Sequence, residues 1–168
     1  MQTTLHAIRK LHLNETTRTL SFICVLFFLP LLFAGPQLLI GSIVNLLLIA
    51  AVRKLSRAKA WPMAFIPSIA AVLHGVIFGS FTIFLVYMMP AIWIGNLILM
   101  YAVSHISHKL LSITLGSIIK AVFLFFVAFV LVQNAFLPTI FLKAMGIFQL
   151  ITALIGGFTL WGIKKLAK

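Results

Sequence analysis

Long apolar runs, separated by short polar or basic gaps, organise this chain. Apolar residues fill 20–33, 37–52, 63–78, 81–103, 110–132 and 139–163 with few interruptions. A helix needs about 20 predominantly apolar residues to cross a bilayer, so the pattern predicts six transmembrane helices. Span 1 runs from Leu20 to Phe33, with Pro30 expected to kink it, and Ala34-Gly35-Pro36 makes a tight outer turn. Span 2 covers Gln37 to Val52, and an inner loop covers Arg53–Pro62. Span 3 covers Met63 to Phe78 and turns at Gly79-Ser80 into span 4, Phe81 to Val103, which contains Pro90. Ser104–Lys109 is the next inner loop, span 5 covers Leu110 to Val132, and an outer loop spans Gln133–Pro138. Span 6 runs from Thr139 to Ile163. The domain reading is therefore a basic tail 1–19, one six-helix membrane domain 20–163 and a basic end 164–168.

Charge fixes the orientation. Thirteen Lys and Arg face one acid, Glu15, and eleven of the thirteen fall in 1–19, 53–62, 104–109 and 164–168. Cytoplasmic loops retain Lys and Arg, so these gaps lie inside and both termini are cytoplasmic. Trp61, Tyr101 and Trp161 fall at the same boundary, where amphipathic rings prefer to sit. Only 8% of residues are charged and the mean hydropathy is +1.23, which together exclude a soluble domain. In this setting the +12 charge reports topology and attraction to anionic membrane lipids, not nucleic-acid binding. The expected location is the cell membrane, crossed several times. The bulky Leu32 and nearby Pro36 make a poor cleavage site, so the first span is expected to stay. Leu5, Ile8 and Leu11 share a helical side, which fits either a short interfacial helix or a disordered basic tail.

Several chemistries are absent. The chain has no Asp, and its one Glu lies in the tail, so neither a carboxylate proton relay nor a paired-carboxylate hydrolase can be built. No phosphate-binding Gly-rich loop ends in Lys-Ser or Lys-Thr. The lone Cys24 allows no intrachain disulfide. His105 and His108 share a spacing that can hold a metal, but no third ligand is near. We expect no enzyme activity, no metal and no cofactor.

The polar residues within spans remain. Asn45, His74 and Asn96 read as interhelical polar groups, with Asn45 and Asn96 acting as glue between helices or as ligand contacts. Lys120 lies about ten residues into span 5, near 15 Å deep by helix rise, where a charge costs roughly 2.5–3.5 kcal/mol. It must snorkel, donate to carbonyls, be neutral or meet a ligand. Asn134 and Gln149 could orient a solute, and Lys143 is a second cation at the outer end. Tyr87 and Trp93 could wall a flat compound or simply pack. Small residues at Gly41, Ala71, Gly75, Gly79, Gly95, Gly156 and Gly157 mark close helix approaches, within the bundle or at a docking face.

Five segments occur in a distinctive order: PQLLIGSIVN at 36–45, PSIAAVLHG at 67–75, MPAIWIGN at 89–96, KAVFLF at 120–125 and AMGIFQLITALIGG at 144–157. In this order the chain resembles the substrate-binding S components of bacterial energy-coupling-factor transporters, over about 36–163. The resemblance implies an S-component-like bundle that binds its solute near the outer side, largely among spans 4 to 6, under the loop after span 1. It also implies partners: a membrane coupling subunit and two cytoplasmic ATPases. One departure stands out, because span 1 lacks the Ala-x-x-x-Ala docking motif of many S components. The resemblance places the chain in the bacterial plasma membrane. The expected cargo is a neutral or anionic small molecule, because the bundle offers Lys120 and Lys143 but no acid, with a flat vitamin-like compound suggested by Tyr87 and Trp93. The rival readings are a passive channel or small homo-oligomeric transporter, and a non-catalytic membrane assembly subunit.

Overall fold

In lipid, an apolar segment must satisfy its own backbone N–H and C=O groups, and a helix does so. The computed structural model describes residues 2–33, 35–78 and 81–166, with side chains except at 2–14, 77, 78, 81 and 164. Among the described residues there are helices and no strands. They are α1 (Gln2–Leu32), α2 (Gln37–Lys54), α3 (Arg57–Ala60), α4 (Ile66–Phe78), α5 (Leu85–His105), α6 (Lys109–Gln133), α7 (Ile140–Met145) and α8 (Ile147–Leu166). Short 3₁₀ turns at Trp61–Ala64 and Phe81–Phe84 precede α4 and α5. Five segments are long and apolar enough to cross a membrane: Glu15–Leu32, Gln37–Lys54, Thr82–His105, Lys109–Gln133 and Ile140–Ile163.

The differences from the expected spans have local causes. The basic tail continues α1 without a break as a 31-residue helix, about 46 Å long by helix rise. The side chains of the 5–13 stretch lie outside the described residues, as do Ala34 of the first outer turn and Gly79-Ser80 of the second. The third apolar run does not form one helix. Pro62 and Pro67 each lack a backbone donor, and the run divides into the 3₁₀ turn and the 13-residue α4. At about 20 Å, α4 alone is shorter than the hydrocarbon core of ~30 Å. The sixth run breaks at Gly146, whose ψ of −98° leaves the helical region. The Phe125 ring occupies the space beside it, with Cδ2 2.9 Å from where a Cβ would lie.

Two tight helix pairs form the frame, α2 with α8 and α5 with α6, and α6–α8 contacts join them while α4 packs on α1. Small residues permit these approaches. A Cβ on Gly156 would lie 2.5 Å from Ser42 O and 2.7 Å from Leu46 N, so only glycine lets α8 seat against α2 there. Gly157 faces Ile113 of α6, Gly95 faces Leu124 of α6, and Gly41 faces Thr152 of α8. Gly75 faces Thr82 and Ile83 in the turn that follows α4. These small residues thus serve packing within the bundle. Large apolar side chains face outward, among them Val76 at 62%, Val122 at 63% and Phe126 at 64% exposure, as lipid contact requires.

The two ends differ in chemistry. At one end, Glu15 accepts from Ser56 N at 2.9 Å and pairs with Lys59 at 3.1 Å, tying α1 to the segment after α2. Trp61 meets Tyr101 edge-on at 6.3 Å, Tyr101 stacks on His105 at 4.0 Å, and Lys165 lies 5.4 Å from the Trp161 ring. His108 caps α6 by accepting from Leu111 N. The end of α1 and the starts of α2 and α5 meet at the other end, around a cavity.

Candidate solute-binding site

The cavity is about 470 Å³ and draws its lining from every long helix of the bundle. Its floor is polar. Lys120, on the inward face of α6, is only 2% exposed. Its Nζ donates to Asn45 Oδ1 on α2 at 2.7 Å and to Asn96 Oδ1 on α5 at 2.8 Å. Each asparagine is locked from behind. Asn45 Nδ2 donates to Gly41 O at 2.9 Å, one turn back along α2, and to Thr152 Oγ1 on α8 at 3.2 Å. Asn96 Nδ2 donates to Ala64 O at 2.8 Å, at the irregular step from the 3₁₀ turn into α4. Amide nitrogens that face carbonyls must turn their oxygens the other way, so both Oδ1 atoms aim at Lys120. Four helices and one turn thus converge on a single ammonium position.

Burial here exceeds what snorkelling would give: the lysine stem stays in the bundle and its nitrogen meets two carbonyl dipoles. Hydrogen bonds to a charged group contribute roughly 1.5–3 kcal/mol each, comparable to the insertion cost of the lysine. Ser117, one turn earlier on α6, is also buried, and its Oγ has no hydrogen-bond partner among the described residues.

The remaining lining is mixed. Gln149 on α8 and Gln37 at the start of α2 border the cavity, and Gln37 Nε2 donates to Ala144 O at 2.9 Å, just before the Gly146 break. Ser68 and His74 of α4 contribute from another side, with His74 Nδ1 at 2.9 Å from Leu31 O of α1. Apolar walls come from Phe33, Ile40, Val44, Ile92, Phe141 and Met145.

Of the residues singled out in the sequence, Lys120, Gln149, Asn45, Asn96, His74, Gly41 and Ala71 come together around this cavity. Four others do not. Trp93 lies behind Ser68, donating to its Oγ at 2.7 Å and meeting Phe65 edge-on. Tyr87 is 52% exposed and lies beside Phe136 at 6.0 Å. Asn134 is the exposed C-cap residue of α6, with its amide on Val130 O. Lys143 is exposed on α7. Thr152 and Gln37 were not singled out. Thr152 follows Gln149 by three positions on the same helix, a spacing that puts both on one face, while Gln37 is the first residue of its span and carried no signal beyond polarity. Spans 4 to 6 line the cavity together with α1, α2 and α4, and Gly35 of the loop after span 1 lies at its border.

Comparison of the chain with protein-family models, curated proteins and solved structures finds no match.

Proposed function

We propose that this chain is the solute-binding membrane subunit of an energy-coupling-factor importer, taking a neutral or anionic small molecule. The observation that carries the reading is the cavity at Lys120: a polar floor held by four helices under apolar walls, the form of a small-molecule site. A pure assembly subunit has no need of such a site, or of a lysine buried at its base. The order of the segments around Asn45, His74, Asn96, Lys120 and Gln149 supports the same reading.

The way the ends are shared supports six crossings. The segment after α2 packs with Met100, near the end of α5, in one cluster, whereas Thr82, in the 3₁₀ turn before α5, and Leu85, the first residue of α5, border the cavity with Gln37 at the start of α2. On this reading α3, the 3₁₀ turn at Trp61–Ala64 and α4 together make the sixth crossing. Six crossings put both termini on one side, which the Lys and Arg bias makes cytoplasmic. The chain has no nucleotide-binding loop of the Walker type, so coupling to ATP would come from partner subunits.

The test is gentle purification from native membranes. A coupling membrane subunit and two ATPases should co-purify, and native mass spectrometry should find a retained small molecule. Flux through liposomes containing this chain alone would favour a passive channel instead.

A further inference from the structure

The reading of the cavity as a solute site leaves open what the solute carries, and Lys120 narrows it. We infer that the cavity takes a compound with a single negative charge, a monocarboxylate with an apolar body, whose carboxylate accepts the remaining N–H of Lys120. This inference rests on the solute-binding reading of the same site.

An ammonium has three N–H donors. Two go to Asn45 Oδ1 and Asn96 Oδ1, and among the described residues the third has no acceptor. Both neighbours are neutral amides, so they solvate a cation without cancelling its charge. No acid in the chain can do so: the one Glu, Glu15, is engaged with Ser56 and Lys59 near the opposite end. A buried charge without a counter-charge is strongly unfavourable, and Lys120 lines an open cavity. An anionic solute would complete the pair.

The same count limits the charge of the solute. The described side chains bordering the cavity include one cation, Lys120, while Lys143 is exposed elsewhere. A monoanion is balanced and a phosphate dianion is not. The Gln149 amide also borders the cavity, with no side-chain partner among the described residues, and can bond a second oxygen. Phe33, Ile40, Ile92, Phe141 and Met145 suit an apolar body. If Lys120 were a neutral amine, its two hydrogens would satisfy the asparagines and a lone pair would face the cavity. The site would then favour a donor and not an acceptor.

The test uses the full chain in lipid nanodiscs and three probes of nearly equal shape: benzoate, benzamide and benzylammonium. Saturable binding should follow the order benzoate, benzamide, benzylammonium, with benzoate at least tenfold tighter than benzamide. Lys120→Met should abolish that preference, and Lys120→Gln should do the same. Equal binding of benzamide, tighter binding of benzylammonium, a preference that survives Lys120→Met, or no saturable benzoate binding would each overturn the inference. The wild-type series decides the matter even if a variant does not fold. Preference for a neutral or cationic probe sinks the anion assignment but leaves a solute-binding subunit. Purification without partners or retained solute sinks the importer reading, whatever the probes do.

Discussion

At the scale of single residues, Lys120 and its two asparagines form one unit. Asn96→Leu removes an acceptor from Nζ and strips Ala64 O of its donor, so two polar groups are left short. Losing hydrogen bonds to a charged group and to a buried carbonyl should destabilise the protein by about 2–4 kcal/mol. Lys120→Met removes the buried charge and its desolvation cost but leaves Asn45 Oδ1 and Asn96 Oδ1 without their donor, so it should cost about 1–3 kcal/mol. The pair should therefore couple in a double-mutant cycle by about 1–3 kcal/mol, measured by thermal unfolding in detergent. Additive effects would mean that the Lys120–Asn96 contact is not formed. Part of this unit was legible. Lys120 stood out because a mid-span lysine without an acid needs an explanation, and Asn45 and Asn96 stood out as polar groups in apolar runs. Their meeting was not legible, because Asn45 and Lys120 are separated by 75 positions and no local periodicity encodes that contact.

At the scale of elements, the helices end where backbone chemistry dictates. The C-terminus of α6 closes with Phe136 N on Leu131 O at 2.9 Å and Ala135 N on Val132 O at 3.0 Å, the paired bonds of a Schellman motif. The motif needs a left-handed residue, and here it is Ala135, at φ 59°. A side chain in that conformation costs roughly 1–2 kcal/mol that glycine avoids. Ala135→Gly should therefore stabilise the protein by about 1 kcal/mol, seen as a higher midpoint of thermal unfolding, with solute binding unchanged. A loss of stability would show that the turn is not left-handed. Spans 2, 4 and 5 could be placed to within a few residues because hydrophobicity sets them directly. The ends of span 6 could be placed as well, but the interruptions at Trp61–Ala64 in span 3 and at Gly146 in span 6 could not, because they depend on how the helices pack. Gly146 is one glycine in an apolar run, and nothing in the sequence distinguishes it from Gly156 or Gly157, which remain helical.

At the scale of the whole molecule, the two ends carry different chemistry and predict a topology. With Cys24→Ser as background, Lys143→Cys should react with a membrane-impermeant maleimide from outside intact cells. Lys165→Cys should react only after permeabilisation. The reverse pattern would invert the bundle, and labelling of both from outside would rule out an orientation with the two sites on opposite faces. The sequence by itself determined that this is a helical membrane protein, roughly where its helices lie and which gaps are basic. These properties depend on hydrophobic run length and charge placement, which are local. Only the tertiary structure decided that Lys120 is buried and not snorkelling, that Asn45 and Asn96 turn their oxygens toward it, and that Tyr87, Trp93, Asn134 and Lys143 stand away from the cavity. Those outcomes depend on helix rotation and on close approaches such as Gly156 against α2, set by packing between segments far apart in the chain.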